Sequence, residues 1–397
     1  MTSQVISLEL AHGACQPAAA EVVIIGGGIM GTSIAFHLAQ AGVRNIVLVE
    51  QAELGSGSSA KPLGGVRATF SDPANILLGQ RSLRAYERFA AEFSTDIGLR
   101  KVGYLFLCRS GAEVSDCERS TSIQNELGST SRMISPREAT EINPFVQQDC
   151  LIGASYSPND GFAEPGRVVD AYAAAARRLG VTILNRTEVM DVGTANGQID
   201  SVTTNRGVIR AGSVICCAGA WSRRVGDMVG VPLPVTPVRR QIGMTRQHAS
   251  PFPAVPFTLD LSTTLYFHNY YNGMLLGISN TNQSPGFSRE FSYGWLPEFN
   301  AAARVCAPSL ENPDLEFGWA GLYENTPDHN ALIGGSDRVS GFFYATGFSG
   351  HGFLQGPAVG ELMRDLYLGQ EPFMDAGVFS ADRFRNANQL LHEVHII

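Results

Sequence analysis

Apolar segments alternate with a helical pattern near the start of the chain. The β-branched segment over residues 21–25 predicts a buried strand, and residues 32–42 predict a helix that stops at Gly42. A second apolar segment, residues 45–50, predicts the next strand and ends in an acid. The order strand, helix, strand indicates a βαβ unit.

The rest of the chain carries both helical and strand patterns. Residues 166–193 predict a helix with a pair of strands after it, and residues 198–219 predict a hairpin followed by a buried strand. Residues 100–108 alternate as a strand, residues 264–277 predict a second hairpin, and residues 356–369 predict a helix.

A glycine-rich turn joins the first predicted strand to the first helix. Gly26, Gly28 and Gly31 follow the G-x-G-x-x-G spacing, and Glu50 lies 19 residues after the third glycine. Such glycines allow a tight turn, close approach of a pyrophosphate and close helix packing, while the acid accepts a hydrogen bond from a ribose hydroxyl. An acid at this place disfavours a 2′-phosphate, so the motif predicts FAD or NAD.

A second Gly/Ser-rich loop, residues 53–67, favours FAD, because a nicotinamide dehydrogenase more often begins an ordinary helix here. Ser58 and Ser59 can donate hydroxyls to a pyrophosphate or ribityl chain, and Gly64 and Gly65 would let the backbone lie against an isoalloxazine ring. The alternative interpretation of this segment alone is a flexible surface loop.

Composition disfavours several other classes of protein. Thirty-seven acidic residues against 29 basic ones give a net charge of −8, which disfavours a nucleic-acid partner. The seven cysteines contain no C-x-x-C, which indicates a reducing compartment and a cytoplasmic protein. The histidines have no metal-ligand spacing, so we expect no metal site.

The N-terminal region gives no targeting signal. Residues 1–20 lack the basic start of a signal peptide and are interpreted as a loose leader. Residues 22–36 are apolar, but they contain glycines and fall short of the roughly 20 residues that a membrane-spanning helix needs. No membrane span is therefore expected.

Five ordered motifs identify a family resemblance: residues 23–31, 57–67, 214–221, 318–334 and 343–353. Through them the chain resembles the D-amino-acid-oxidase-like flavoenzymes, in the branch with glycine oxidase, sarcosine oxidases and related proline or opine dehydrogenases. The resemblance runs nearly end to end. It implies an α/β fold with a Rossmann-like FAD-binding domain, interleaved with an antiparallel-sheet substrate domain of α+β type.

The resemblance implies that both domains are discontinuous. The FAD-binding domain is expected to comprise residues 21–75, 150–225 and 319–385. The substrate-binding domain is expected to comprise residues 76–149 and 226–318, and residues 386–397 would form a C-terminal tail.

The resemblance also implies which residues surround the cofactor. Val189 would lie near the adenine, Ala218 and Gly219 near the pyrophosphate, and the loop 349–353 would point its helix N-terminus at the reduced flavin, unless this is an ordinary helix cap. The expected set is Gly26, Gly28, Ile29, Met30, Gly31, Glu50, Gln51, Ser58, Ser59, Lys61, Leu63, Gly64, Gly65, Val189, Ala218, Gly219, Trp221, Gly321, Gly350, His351, Gly352 and Phe353.

Five residues are candidates for substrate binding and catalysis: Arg67, Tyr266, His268, Tyr323 and His351. By resemblance to sarcosine oxidase, Arg67 would hold a substrate carboxylate. Tyr266 and His268 share one face of the predicted hairpin and would cover the substrate, the alternative being aromatic packing into the core. His351 would orient substrate or flavin, or else is a satisfied loop residue.

Four positions depart from the family pattern. Leu354 replaces a second carboxylate-binding lysine, Gly321 replaces the cysteine that links flavin covalently, and Leu275 replaces the lysine credited with oxygen activation. Tyr323 stands where glycine oxidase has an arginine. These departures imply non-covalent FAD, either O2 or another electron acceptor, and a bulkier or secondary amine rather than glycine.

The sequence therefore predicts an FAD-dependent oxidase of amino acids or N-substituted glycines. A hydride would pass from the α-carbon to flavin N5, and water would hydrolyse the imine to an amine and a 2-oxo acid. The alternative is a flavin-bearing, β-like subunit of a hetero-oligomeric proline, opine or sarcosine dehydrogenase. An NAD-linked enzyme would leave the C-terminal glycine motifs unexplained. Homo- or hetero-oligomers are both compatible with the sequence.

Overall fold

Two large β-sheets organise the part of the chain that the computed structural model describes, residues 16–249, 253–279, 282–385, 390, 391 and 393. Most of the expected leader and of the expected C-terminal tail lies outside these residues. The strands in the described ranges are β1 Ala19–Ile25, β2 Ile46–Val49, β3 Gly65–Val66, β4 Tyr104–Cys108, β5 Arg132–Ile134, β6 Gly153–Ser157, β7 Gly161–Phe162, β8 Thr182–Leu184, β9 Val189–Ala195, β10 Gln198–Thr204, β11 Gly207–Cys216, β12 Thr236–Thr245, β13 Phe257–Asp260, β14 Leu265–Tyr270, β15 Gly273–Ile278, β16 Leu315–Asn325, β17 Leu332–Gly335 and β18 Phe342–Thr346.

Helices cover parts of both sheets. The α-helices in the same ranges are α1 Ile29–Gln40, α2 Pro73–Phe93, α3 Gly111–Glu126, α4 Pro136–Ile142, α5 Pro165–Arg178, α6 Ser222–Met228, α7 Leu296–Cys306 and α8 Gly352–Leu368. Helix α8 begins four residues before the predicted start at residue 356 and contains Pro357.

The first sheet has the order β17-β18-β11-β1-β2-β8. Strand β1 pairs in parallel with β11 and β2, and β8 and β18 extend the parallel pairing on either side. The apolar faces of α1, α5 and α8 pack into one core against it. Such a parallel sheet places the carboxyl ends of β1, β2 and β11 at one edge, where ligands bind in this fold class.

The second sheet has the order β16-β12-β15-β14-β13-β4-β6-β5 and is antiparallel except where β13 meets β4. Helix α7 covers it, and Phe267, Trp295 and Phe299 are buried between them. The two sheets confirm the predicted mixed α/β fold.

Three elements lie at or beyond the expected domain boundaries, which stay predictions. Strand β6 pairs with β4 and β5 in the second sheet, although it follows the boundary expected at residue 150. Strand β16 pairs with β12 along its whole length and crosses the boundary expected at residue 319. Helix α2 crosses the boundary expected at residue 76, and its apolar face joins the core of the first sheet through Leu78, Tyr86 and Phe89.

Within the described ranges, every helix is too short or too polar to span a lipid bilayer.

Candidate active site

A cavity of about 450 Å³ lies where the first sheet meets the second. The glycine turn and the ends of β2 and β11 line one part of it, with Gly26 and Glu50. Strands β12, β14 and β16 line the other part, with Arg240, Tyr266 and Tyr323. One cavity is therefore bordered by the βαβ unit and by the second sheet.

The glycines of the first turn are required by backbone crowding. Gly26 has φ +111°, and a Cβ atom there would lie 2.3 Å from the carbonyl oxygen of Cys217. A Cβ atom at Gly31 would lie 1.9 Å from the carbonyl oxygen of Gly26. A Cβ atom at Gly28 would lie 2.7 Å from Ser59 Oγ. Larger residues at these positions would clash with neighbouring protein atoms, so the turn requires glycine.

Two helices begin at the cavity wall. Helix α1 has no acid in its first turn, and the amide of Ile29 donates to Ser59 Oγ at 2.9 Å. Helix α8 likewise has no acid in its first turn, and Gly352 and Phe353 line the cavity. Because helix N-termini carry partial positive charge, both ends favour an anionic ligand.

Glu50 is fixed at the end of β2. Its carboxylate accepts hydrogen bonds from the amide of Gly27 at 2.7 Å and from the amide of Ala52 at 2.9 Å. Each oxygen retains acceptor capacity, and the residue lines the cavity. The carboxylate is thus held where a ribose hydroxyl could donate to it.

The loop after β2 contributes only part of its predicted residues. Ser58 Oγ donates to the carbonyl oxygen of Leu322 at 2.7 Å, and Lys61 and Leu63 line the cavity. Gly65 instead pairs with Phe162 between β3 and β7.

Gly65 is needed because a Cβ atom there would lie 1.9 Å from the phenol oxygen of Tyr104. Gly64 has φ +81°, and a Cβ atom there would clash with the carbonyl oxygen of Ala163. These two glycines therefore permit contacts within the protein and do not line the cavity.

Two tyrosines line the end of the cavity that the second sheet forms. Tyr266 is 2% exposed, and its hydroxyl donates to the carbonyl oxygen of Gln241 at 3.4 Å. The ring of Tyr323 packs on Gly350, where a Cβ atom would lie 2.4 Å away from it. Burial raises the pKa of both phenols. Both are consequently neutral near pH 7.

His268 does not line the cavity. Its ring nitrogens lie 2.6 Å from the carbonyl oxygen of Asn269 and 3.1 Å from that of Leu63. Its ring packs against Phe162 and Phe257, and burial lowers its pKa to about 4. The arrangement matches the alternative of aromatic packing, with His268 supporting the loop that carries Leu63.

Arg67 and His351 lie together outside the cavity lining. The guanidinium of Arg67, a residue 3% exposed, donates to the carbonyl oxygen of Thr69, and its Nη2 lies 3.3 Å from His351 Nε2. The guanidinium carbon of Arg67 also lies 4.1 Å from the ring centroid of Phe70. Burial and the neighbouring Arg67 hold the pKa of His351 well below its usual range.

Most of the predicted cofactor residues lie around one cavity. Those that line it are Gly26, Gly28, Ile29, Met30, Glu50, Gln51, Ser58, Ser59, Lys61, Leu63, Val189, Ala218, Gly219, Trp221, Gly321, Gly350, Gly352 and Phe353. The predicted residues outside the lining are Gly31, Gly64, Gly65 and His351.

Sequence reasoning missed several charged residues of the cavity. Arg224, Arg240 and Arg289 line it, and Nη1 of Arg289 donates to the carbonyl oxygen of Ser56 at 3.1 Å. None of the three lies in a recognisable motif, so no sequence signal separates them from surface arginines.

Glu324 also lines the cavity and was missed, although it belongs to the motif over residues 318–334. Burial raises the pKa of its carboxyl group to about 7, while Ser58 Oγ lies 3.3 Å from Oε2. Its place within that motif is a signal by which the sequence could have indicated this acid.

The residues present fit an FAD molecule. The glycine turn leaves no room for side chains, two helix N-termini favour an anion, and Glu50 provides a ribose acceptor. Arg224 and Arg289 add positive charge to the lining.

Comparisons with known proteins agree with this fit. The family described as FAD dependent oxidoreductase (DAO) matches residues 21–366. The chain is 30% identical to a glycine oxidase of Geobacillus kaustophilus over 91% of this chain and 97% of that protein. The crystal structure of L-proline dehydrogenase from P. horikoshii superposes with a TM-score of 0.87 at 31% identity, covering 93% of this chain and 99% of that one.

Other relatives are much longer than this chain. The mitochondrial pyruvate dehydrogenase phosphatase regulatory subunit of Mus musculus is 29% identical over 94% of this chain, which spans only 44% of that protein.

Proposed function

Because the chain belongs to the DAO family of FAD-dependent oxidoreductases, we propose that it oxidises an amino acid or an N-substituted glycine at the bond between the α-carbon and nitrogen. FAD, when bound, supplies the oxidant by accepting the hydride of the α-carbon at N5. The imine that remains of the substrate is hydrolysed to an amine and a 2-oxo acid.

One observation carries this proposal: a single cavity joins the nucleotide-binding turn to the tyrosine-lined end of the second sheet. Gly28 and Glu50 line the first part, and Tyr266 and Tyr323 line the second. A small substrate at the tyrosine end would therefore lie beside a cofactor that extends from the glycine turn.

The chain's own residues contribute orientation and exclusion of water. A neutral amine releases a hydride with the help of its own lone pair, so the reaction needs no strong protein base. Tyr266 and Tyr323 are neutral phenols and can donate hydrogen bonds to a polar substrate. Their rings also cover that end of the cavity.

A secondary amine is the favoured substrate class. The similar structure from P. horikoshii is named an L-proline dehydrogenase, and proline is a cyclic secondary amine. Glycine oxidase, by its name, acts on a primary amine, and the resemblance places Tyr323 where that enzyme has an arginine. We therefore expect proline-like and N-alkylated amino acids to reduce the flavin faster than glycine.

A substrate panel under anaerobic conditions tests the function. FAD-loaded protein is mixed with primary, N-methylated and cyclic amino acids, and flavin absorbance is followed near 450 nm, the usual band of oxidised flavin. Bleaching by at least one α-amino acid is expected, whatever the natural electron acceptor. A flavin that stays oxidised with every α-amino acid but is bleached by a 2-hydroxy acid would overturn the proposal.

A rival role is partner-dependent, since one relative is named a regulatory subunit. The isolated chain distinguishes the two roles when it is assayed with an artificial electron acceptor. Multiple turnovers would remove the rival, whereas flavin reduction without turnover would favour it.

FAD is expected to be held without a covalent bond. The resemblance places Gly321 where sarcosine oxidase has its linking cysteine, and a Cβ atom at Gly321 would lie 2.8 Å from Cβ of Lys61. Acid precipitation of the holoprotein should leave the yellow chromophore in the supernatant. Colour that remains in the washed pellet would contradict this prediction.

Replacing Glu50 with glutamine should weaken FAD binding. The amide keeps one acceptor oxygen but loses the charge, and hydrogen bonds to charged groups contribute about 1.5–3 kcal/mol. The dissociation constant of FAD should therefore rise about 10- to 150-fold, measured by titrating apoprotein with FAD.

Glu53→Gln is the matched control for this prediction. Glu53 is exposed and pairs with Arg186, so its substitution should leave FAD affinity within about twofold. Equal affinities of the two variants would refute the role of Glu50.

A further inference from the structure

Arg240 is the arginine at the tyrosine-lined end of the cavity. It lies on β12 opposite Gly321 of β16, and both residues line the cavity. Its guanidinium is 5.3 Å from the ring centroid of Tyr323, which holds it by a cation–π contact. Arg240 is therefore placed beside any small molecule that Tyr323 contacts.

The hydrogen-bonding capacity of Arg240 is mostly unused. Nη1 donates to the carbonyl oxygen of Arg239 at 3.2 Å, and Nε is buried without a hydrogen-bond partner among the described residues. The ion pairs formed among the described residues do not include Arg240. A buried N–H without a hydrogen-bond partner is unfavourable, and a bound anion would supply the missing acceptor.

The neighbouring arginine is engaged elsewhere. Arg239 donates to the carbonyl oxygen of Glu290 at 2.8 Å and to Oε1 of Gln283 at 3.3 Å. It does not line the large cavity.

Arg67, the anchor expected from the resemblance, is also outside the lining of the large cavity. Its guanidinium contacts the carbonyl oxygen of Thr69 and the ring of His351.

We propose that Arg240, and not Arg67, binds the carboxylate of the substrate. This inference rests on the proposed function and restricts it to amines that carry an α-carboxylate. A guanidinium suits the task because it stays charged and presents several donors to two carboxylate oxygens. The hydroxyl of Tyr323 lies on the same wall and is available as a further donor.

Arg240→Gln and Arg240→Lys test the inference, with Arg239→Gln as the matched control. Each holoprotein is assayed with the best amino acid of the panel and with the same amine lacking its carboxylate. For Arg240→Gln, kcat/KM on the amino acid should fall about 30- to 3000-fold, while kcat/KM on the decarboxylated amine should not change. The kcat/KM of Arg240→Lys should lie between those of wild type and Arg240→Gln. That of Arg239→Gln should stay within threefold of wild type. FAD content should be unchanged in all three.

A binding measurement separates this inference from the proposed function. Acetate is titrated into each oxidised holoprotein, and the perturbation of the flavin spectrum is followed without turnover. Wild type and Arg239→Gln should bind acetate, and Arg240→Gln should not. If this pattern appears but no amino acid is oxidised, the proposed function fails and the carboxylate site stands.

The opposite pattern overturns the inference. If Arg240→Gln binds acetate and discriminates by the carboxylate as wild type does, Arg240 is not the anchor. Loss of discrimination in Arg67→Lys with normal FAD content would then assign the carboxylate to Arg67.

Discussion

Gly31→Ala is expected to purify without FAD and to melt at a lower temperature than wild type. The new Cβ atom would lie 1.9 Å from the carbonyl oxygen of Gly26, so backbone would have to move against backbone. Helix α1 is buried between α5 and α8 and cannot shift freely. Such overpacking costs about 1–3 kcal/mol, and here it deforms the turn that approaches the pyrophosphate.

Flavin absorbance per mole of protein and the thermal midpoint measure both effects. FAD affinity should fall at least about 100-fold, since this is the turn expected to approach the pyrophosphate. Gly166→Ala is the control, because no atom of the residues that the structure describes lies within 4 Å of a Cβ atom at that helical position. Full FAD occupancy in Gly31→Ala would show that the turn tolerates a side chain and would refute the assigned role.

Asp328→Ala is expected to cause the largest loss of stability. Asp328 accepts from Nε of Arg383 at 2.7 Å and from Nη2 at 2.8 Å, and the two side chains are 3% and 2% exposed. Removing one partner of a buried pair costs about 3–5 kcal/mol, because the other charge is left buried and unpaired. Urea unfolding of the apoprotein should show this decrease in the free energy of unfolding.

Asp314→Ala breaks an exposed pair and provides the comparison. The side chains of Arg246 and Asp314 are 64% and 72% exposed, so breaking their ion pair should lower the free energy of unfolding by at most about 1 kcal/mol. Similar losses in the two variants would mean that the buried pair contributes no more than a surface pair.

The same pair predicts a pH dependence. Burial raises the pKa of Asp328, but the hydrogen bonds and charge of Arg383 outweigh it and leave the pKa below its usual value. A depressed folded-state pKa stabilises the protein above the ordinary aspartate pKa, and this stability is lost as the pH falls through the folded-state value. Asp328→Ala should remove that part of the acid sensitivity.

The glycine-turn half of the candidate site could be located from the sequence because its residues are close along the chain. Gly26, Gly28 and Gly31 lie on one turn, and Glu50 lies at the end of the next strand, so spacing alone places them together. The mixed α/β fold followed from the same unit and from the ordered motifs.

The substrate half depends on sheet register, which local patterns do not contain. Arg239 and Arg240 are adjacent in sequence, and only the pairing of β12 with β16 decides which one meets the cavity. His268 follows the strand alternation that was predicted, but Phe162 and Phe257 cover it.

The boundary expected at residue 150 likewise rests on local patterns, whereas β6 pairs with β4, about fifty residues earlier. Pairing between strands that are distant in the sequence could thus not be predicted from local patterns.

The position of β18 beside β11 has a consequence for synthesis on the ribosome. Residues 19–25, 46–49 and 207–216 can associate early, yet residues 214–216 of β11 lack their β18 partner until residues 342–346 emerge. Tyr323 and Gly350 also emerge late, so a nascent chain would present a half-built cavity. Exposed strand edges recruit wrong partners. Early capture of FAD by the incomplete chain would therefore be weak, and this edge stays open to wrong pairing until residues 342–346 have emerged.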